Sequence, residues 1–239
     1  MNLVIDIGNT SSKVAIFENN QIVKKQVFKK LHLVDILLFA SGIDIISSII
    51  SSVKEFDEDL QSIISHFNAL ILTHKTGLPI KSSYKTLETL GTDRLAAIVG
   101  AENEFSNKNI LLIDAGTCIT FDYYIDGIYT GGRISPGLQM RYNSLHTFTD
   151  KLPKVNLSNK HFRIGEDTNS SIIAGVQQGV IDEIDTGVDT FLKENKETAV
   201  IFCGGDYKFF VEHLKNRIFA SPFIVLKGLN IILEFNAKK

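Results

Sequence analysis

The sequence has few of the residues that mark disulfide-stabilised proteins or long linkers. Its 239 residues include only two cysteines and four prolines. Cys118 and Cys203 each stand near glycine in an apolar run, and they do not form a Cys-x-x-Cys pair. We therefore expect reduced structural thiols, as in a cytoplasmic protein, and no disulfide scaffold. No proline-rich or low-complexity segment is present, so no long linker is expected.

Signals for membrane insertion, secretion and zinc binding are also missing. No apolar run approaches the roughly 20 residues that a transmembrane helix needs. The first residues include no basic stretch, and Asp6 interrupts their apolar run, which argues against a signal peptide. The six histidines form no His-x-His or His-Glu-x-x-His pair, so we expect no zinc site. The sequence thus predicts no membrane partner.

The chain also lacks an excess of charge of one sign. It has 25 Lys and Arg residues against 27 Asp and Glu residues, a formal net charge of −2. Nucleic-acid-binding domains are usually strongly basic, so we expect no nucleic-acid partner. The hydrophobic share of 44% and the charged share of 22% are typical of globular proteins. At roughly 150 residues per domain, the length fits one large domain or two small ones.

Short apolar runs separated by polar turns predict a protein of the α/β class. The spacing predicts strands at 3–7, 14–17, 22–23, 69–73, 110–113, 119–124, 128–130 and 199–202, and a buried strand with its loop within 44–53. Apolar residues three and four positions apart predict helices at 57–67, 92–105, 168–192 and 206–218.

An internal repeat organises these elements. The segment Leu-Val-Ile-Asp-Ile-Gly at 3–8 returns as Leu-Leu-Ile-Asp-Ala-Gly at 111–116. Each copy is a buried strand that ends in Asp-x-Gly, followed by a hydroxyl residue, a second strand and a β-turn. We therefore predict two similar lobes, residues 1–108 and 109–239, each a sheet flanked by helices.

The first Asp-x-Gly segment has the composition of a phosphate-binding loop. Gly8 permits a tight turn, and the backbone N–H groups around Asn9 and the Thr10 hydroxyl can bind phosphate oxygens. Asp6, at the end of the predicted strand, is suited to hold Mg²⁺ through water, and Lys13 adds positive charge. A plain hairpin turn with a solvated aspartate would have the same residues, so this motif alone does not decide.

Three further glycine-containing segments allow a functional and a structural interpretation. Residues 114–117, Asp-Ala-Gly-Thr, would form a second phosphate loop, although Asp114 could instead cap a turn. The segment 131–137 surrounds a proline with glycines, which indicates a close backbone approach at a loop. The segment 203–206 has a Gly-Gly turn that could cover a flat base such as adenine, but by itself it favours a structural turn.

The segment Gly91-Thr92-Asp93-Arg94 opens the predicted helix 92–105. Helix capping and the helix dipole explain Asp93, since carboxylates are favoured in a first turn. They do not explain Arg94, because a cation is disfavoured there. Arg94 gains more by pairing with an anionic ligand, and Asp93 is placed to accept a proton from a hydroxyl nucleophile. We therefore favour a functional interpretation of this segment.

Together these motifs resemble the type III pantothenate kinases, of the acetate and sugar kinase, heat-shock chaperone and actin superfamily. The combination Asp-x-Gly-Asn-Thr, Gly-x-Asp-Arg, Asp-Ala-Gly-Thr and Gly-Gly-x-Ile-x-Pro-Gly is specific to that family and spans most of the chain. The resemblance implies two ribonuclease-H-like lobes, each a mixed sheet flanked by helices, with a nucleotide cleft between them. It further implies a homodimer. The implied reaction is ATP-dependent phosphorylation of pantothenate to 4′-phosphopantothenate, the first step of coenzyme A biosynthesis.

The resemblance also implies roles for single residues. Asp93 would be the general base, Asp6 would lie near Mg²⁺ and Asp114 would bind a monovalent cation, K⁺ or NH₄⁺. ATP would contact Asp6, Gly8, Asn9, Thr10, Lys13, Gly116, Thr117, Gly204 and Gly205. Pantothenate would contact Tyr84, Gly91, Thr92, Asp93, Arg94 and Thr168, and Thr168 would act across the dimer.

Three positions depart from the family pattern, and two other functions stay open. Cys203 stands where threonine is usual, Leu87 where proline is usual and Asp167 where asparagine is usual. None of these changes removes an implied catalytic group. A non-catalytic regulatory factor that binds nucleotide is the main alternative. A phosphatase or ATPase of the same superfamily is a third possibility, and it would have no need for Arg94.

Overall fold

Two sheets with helices between their strands make up the structure, a computed structural model that describes residues 1–55 and 57–237. The strands are β1 (Asn2–Ile7), β2 (Ser12–Glu18), β3 (Gln21–Phe28), β4 (Ser47–Ser52), β5 (Leu70–Ile71), β6 (Lys81–Ser82), β7 (Asn109–Ala115), β8 (Cys118–Ile125), β9 (Ile128–Pro136), β10 (Thr198–Cys203) and β11 (Phe219–Ala220). The helices are α1 (Leu33–Phe39), α2 (Glu58–Phe67), α3 (Thr92–Glu104), α4 (Leu138–Thr147), α5 (Thr168–Glu194), α6 (Tyr207–His213) and α7 (Ile224–Ala237). A 3₁₀ turn covers Leu87–Thr89.

The chain folds into two compact units. The first contains Met1–Asn107, the short stretch Gly127–Thr130 and the C-terminal segment that begins at Phe223. The second contains Lys108–Asp126 and Gly131–Pro222. We predicted from the sequence that residues 109–239 form one lobe. In the structure, helix α7 instead belongs to the first unit.

In the first unit, the strand order is β3-β2-β1-β4-β5. Strands β1 to β3 are antiparallel neighbours, and β1, β4 and β5 are parallel. In this register Asp6 of β1 pairs with Lys13 of β2 and with Ser51 of β4. Asp6 therefore lies near the carboxyl end of the central strand, with a cation on one side and a hydroxyl on the other.

The second unit repeats the order as β9-β8-β7-β10-β11. Here β7 and β8 are antiparallel, and β7, β10 and β11 are parallel. Asp114 of β7 pairs with Thr120 of β8 and with Cys203 of β10, so it holds the place that Asp6 has in the first sheet. The predicted repeat and the predicted α/β class, with two mixed sheets flanked by helices, are confirmed.

Each sheet packs one face against helices of its own unit, where every second residue of the central strands joins a core cluster. The central strand of the first unit is buried on both faces, since Val4, between Leu3 and Ile5, is also fully buried. In the first unit this core includes Leu3, Ile5 and Ile16 of the sheet, Ile36 of α1 and Ile63 of α2. In the second it includes Ile113 and Phe121 of the sheet, Tyr142 of α4, Ile184 of α5 and Phe210 of α6.

Three helices are absent from the sequence prediction for a physical reason. Helix α1 exposes Val34, Leu37 and Leu38, so its apolar residues do not form one stripe. Helix α7 is apolar around most of its circumference, because eight of its residues are buried. Periodicity detects only helices with one apolar face, and α4, with two buried residues, has almost none.

Helix α7 belongs to the first unit because it packs closely on α3. A Cβ atom at Gly228 would overlap the Ala96 carbonyl oxygen and lie 2.9 Å from the Gly100 nitrogen. The buried Asn230 adds a polar link, since its amide accepts from Asn2 at 2.9 Å and donates to Asn20 at 2.7 Å. The close packing of Gly228 on α3 and the hydrogen bonds of the Asn230 amide thus hold α7 on this unit.

Replacing Gly228 with alanine is expected to lower the free energy of unfolding, because the new methyl group meets the α3 backbone. Overpacking of this kind typically costs about 1–3 kcal/mol. Urea unfolding measures the change. Gly175→Ala in α5 is the matched control, because a Cβ there meets open space and should stabilise the helix by up to about 1 kcal/mol. Wild-type stability of the Gly228 variant would contradict the close contact.

Candidate active site

In the first unit a tight turn follows Asp6 and joins β1 to β2. The Gly8 N–H donates to the Ser11 carbonyl oxygen at 3.1 Å, which closes the turn. Asn9 and Thr10 are exposed at its tip, whereas Asp6 is only 6% exposed. The predicted phosphate loop is thus a short turn with two exposed residues at its tip and a buried carboxylate at its base.

A hydroxyl of β4 joins this loop to the start of α3. Ser51 is beside Asp6 in the sheet register and is fully buried. Its Oγ lies 2.9 Å from Oγ1 of Thr92, the first residue of α3. Sequence reasoning did not single out Ser51, because its importance depends on the parallel register of β4, which composition does not reveal.

The Asp93 carboxylate is held at the start of α3. Its Oδ1 accepts from the Arg94 N–H at 2.9 Å and lies over Gly91, where a Cβ would overlap it. This hydrogen bond reaches only the backbone N–H of the next residue and is not a cap, since Gly91 is the N-cap and no side chain caps α3. Arg94 is buried. The first turn of α3 thus has an acidic residue and a buried basic residue at consecutive positions.

The ring of Tyr84 packs against the ring of another tyrosine. Its ring stacks on Tyr129 with centroids 6.0 Å apart and planes 27° apart. The Ser83 N–H donates to the Tyr129 carbonyl oxygen at 3.0 Å, and β6 pairs in parallel with Ile128 and Tyr129. Tyr129 is fully buried, so it fixes the Tyr84 ring. The sequence showed Tyr129 only as one residue of a short strand.

Three glycine-containing segments that are separate motifs in the sequence lie together in the second unit. They are residues 114–117, 131–137 and 203–206. The Gly137 N–H donates to the Thr117 carbonyl oxygen at 3.1 Å. The Asp206 N–H donates to the Ala115 carbonyl oxygen at 3.0 Å. Thr117 is exposed. The loop that follows Asp114 is therefore bounded by the end of β9 and by the turn after β10.

The turn after β10 requires glycine at position 204. Gly204 has φ +95°, which side chains rarely adopt. A Cβ there would also overlap the Ala115 carbonyl oxygen and lie 2.5 Å from Oδ1 of Asp114. The Gly-Gly turn therefore packs directly against the Asp114 loop, which supplies a structural reason for the first glycine. The adenine contact of Gly204 and Gly205 stays a prediction.

Asp206, which follows that turn, is a partly buried carboxylate. It precedes α6, but its side chain makes no capping hydrogen bond. Burial raises the pKa of its carboxyl above the ordinary value of an aspartate. The ionised form of this carboxylate is therefore destabilised in the folded protein.

Thr168 is exposed in the first turn of α5, and its neighbour Asp167 caps that helix. The Ser170 N–H donates to Oδ1 of Asp167 at 2.8 Å, and the Asp167 N–H donates to Oγ of Ser170 at 3.0 Å. Hydrogen bonds that the backbone and the side chain of Ser170 donate to the Asp167 carboxylate lower the pKa of that carboxyl. Asparagine is an equally good cap, so the departure from the family pattern at 167 keeps the local structure.

Comparison with known proteins decides the family. The family model described as type III pantothenate kinase matches residues 2–190. The chain belongs to this family. A type III pantothenate kinase of Christiangramia forsetii is 43% identical over 240 residues, 99% of each chain, and one of Phocaeicola vulgatus is 43% identical over 244 residues, 100% of each. The family inferred from the motifs is confirmed.

A solved structure supports the fold. A Campylobacter jejuni protein, described as a transcriptional activator of the Baf family, matches with a TM-score of 0.63. It is 20% identical and the match covers 99% of this chain and 100% of that one. At this identity the likeness shows the fold alone, so its description says nothing about the activity of this family member.

The Asp206→Asn variant is expected to be more stable than wild type at pH 7. Because the folded-state pKa is raised, the charged form costs stability above that pKa, and the cost disappears as pH falls below the ordinary aspartate value of about 3.9. Urea unfolding from pH 3.5 to 8 should show an advantage of the variant that grows with pH. A constant difference across that range would contradict the burial of this carboxylate.

Proposed function

We propose that the chain transfers the γ-phosphate of ATP to the primary hydroxyl of pantothenate and forms 4′-phosphopantothenate, the first step of coenzyme A biosynthesis. Membership of the type III pantothenate kinase family over nearly the full length supports the reaction. At residue level the proposal depends on the Ser51–Thr92 hydrogen bond. It joins the helix that carries Asp93 to the strand next to Asp6.

ATP is proposed to use the loop that follows the central strand of each sheet. Backbone N–H groups of these loops and the hydroxyls of the exposed residues Thr10 and Thr117 are proposed to donate to phosphate oxygens. Lys13 lies in register with Asp6 and adds a positive charge to the first loop. Local donors of this kind bind an anion although the net charge of the chain is −2. The other proposed ATP contacts are Asp6, Gly8, Asn9, Gly116, Gly204 and Gly205.

Two cations complete the proposal, Mg²⁺ at Asp6 and K⁺ or NH₄⁺ at Asp114. A single carboxylate such as that of Asp6 suits Mg²⁺, which takes one or two protein carboxylates and completes its shell with phosphates and water. Asp114 offers an oxygen ligand beside the Gly204 turn. When bound, these cations would neutralise phosphate charge.

Asp93 is proposed as the general base. Its carboxylate takes the proton of the pantothenate hydroxyl while the hydroxyl oxygen bonds to the γ-phosphorus and the bond to the leaving ADP oxygen breaks. Arg94 is proposed to bind an oxygen of pantothenate, with Tyr84, Gly91 and Thr92 lining the same pocket. The stacked Tyr129 fixes one wall of this pocket, because it holds the Tyr84 ring.

The assembly is proposed to be a homodimer in the cytoplasm, in which Thr168 reaches pantothenate in the other subunit. Thr168 is exposed at the start of α5, as this role requires. Among the residues that the structure describes, no helix has the length and apolarity to cross a membrane.

One assay separates the proposed kinase from its alternatives. ADP release is measured with ATP, Mg²⁺ and K⁺, with and without pantothenate. A kinase releases ADP only when pantothenate is present, an ATPase releases it in both cases, and a regulatory factor releases none. The last two results would each overturn the proposal.

Asp93→Asn is expected to lower kcat by about 10²–10⁴-fold, because the amide cannot accept the hydroxyl proton. The melting temperature should stay near that of wild type, since an amide oxygen can still accept from the Arg94 N–H. Glu102→Gln, later in the same helix, is the control and should keep wild-type turnover. Near-wild-type kcat of the Asp93 variant would show that another group is the base.

Mixing two inactive variants tests the dimer. Asp93→Asn and Thr168→Ala should each lose activity, but a mixed dimer combines one intact Asp93 with one intact Thr168. If subunits exchange freely, about a quarter of the sites should become active. Sedimentation of each variant checks that it forms dimers. A fully active monomer, or no recovery in verified mixed dimers, would contradict a shared site.

A further inference from the structure

An ion pair that belongs to none of the sequence motifs joins α4 to α5 in the second unit. Nη2 of Arg141 lies 2.5 Å from Oε2 of Glu183. The two side chains are only 24% and 28% exposed, so water screens the pair less than an ion pair on the open surface. Water and salt therefore weaken this pair less than a fully exposed one.

Both partners also bind the end of β9. Nε of Arg141 donates to the Pro136 carbonyl oxygen at 2.8 Å, and Nη2 donates to Oγ of Ser135 at 3.3 Å. Oγ of Ser135 in turn donates to Oε1 of Glu183 at 2.7 Å. The two carboxylate oxygens of Glu183 thus hold different groups, one the guanidinium and the other the hydroxyl.

The peptide bond between Pro136 and Gly137 connects these hydrogen bonds to the loop at residues 114–117, which contains Thr117. Its carbonyl oxygen accepts from Arg141, while its N–H, which belongs to Gly137, donates to the Thr117 carbonyl oxygen at 3.1 Å. In a planar trans peptide these two groups point in opposite directions and turn together. Rotation of this peptide would therefore break both hydrogen bonds at once.

We propose that Arg141 and Glu183 are positioning residues that fix the Pro136–Gly137 peptide and, through it, the place of Thr117. The inference rests on the proposed function, in which Thr117 contacts ATP. Helix α5 then does more than pack in the core, because its Glu183 helps to fix the Pro136–Gly137 peptide. That peptide binds the proposed phosphate loop at residues 114–117. A purely structural role, fastening α4 to α5, would affect stability without changing nucleotide affinity selectively.

Three variants test the proposal: Glu183→Ala, Arg141→Met and Glu183→Gln. The first two should raise the KM for ATP by between roughly twofold and roughly 150-fold, the range that corresponds to a coupling of about 0.5–3 kcal/mol between contacting residues, and change the KM for pantothenate much less. Glu183→Gln should recover part of the loss, since its amide oxygen can still accept one hydrogen bond. Asp182→Ala, an exposed carboxylate beside Glu183 on α5, is the matched control and should behave like wild type.

A second measurement needs no activity. Amide hydrogen exchange of Gly137 in the protein without ligand should be faster in Glu183→Ala and Arg141→Met than in wild type and in the control. Unchanged exchange would overturn the link to the peptide. Faster exchange with an unchanged KM for ATP would overturn the positioning role. If the wild-type protein showed no pantothenate-dependent ADP release, the proposed function would be wrong, and so would the positioning of Thr117 for ATP. The hydrogen-exchange experiment would still show whether Arg141 and Glu183 fix the peptide.

Discussion

A carboxylate near the end of the central strand of each sheet is the constraint on which the rest of the structure depends. Asp6 and Asp114 have the same strand order around them and the same kind of neighbours, one antiparallel and one parallel strand. Parallel pairing brings the end of the adjacent strand alongside, and the next glycine lets the chain turn there. Ser51 lies beside Asp6 in the parallel register and Cys203 lies beside Asp114, and the two residues have different contacts. The hydroxyl of Ser51 binds α3, whereas Cys203 leads into a glycine turn.

The sequence predicted what depends on local pattern. The helices with one apolar face follow from a period of 3.6 residues, and the repeat follows from the two similar Asp-x-Gly segments. The two mixed sheets were implied by the resemblance to the family. The candidate residues Asp6, Asp93 and Asp114 were found because acidic residues beside glycine, or before arginine at a helix start, are chemically specific. The family confirmed by comparison was inferred from these motifs in order along the chain.

What the sequence missed depends on contacts between distant segments. Ser51 has no distinctive sequence context, and only the register with Asp6 gives it meaning. Tyr129 supports Tyr84 across 45 positions of chain. Arg141 and Glu183 are ordinary helix residues until their shared hydrogen bonds to β9 are seen. Helix α7 lacks a one-sided pattern, because it is buried on several sides.

The return of α7 to the first unit has a consequence for synthesis of the protein. A ribosome makes the chain from its N-terminus, and domains generally fold as they emerge. The face of α3 that receives Gly228 stays bare until the segment from Phe223 onward has left the ribosome, whereas the second unit has all of its strands by Ala220. The unit translated first is thus the last to be completed, because the surface of α3 that α7 covers stays exposed to water until then.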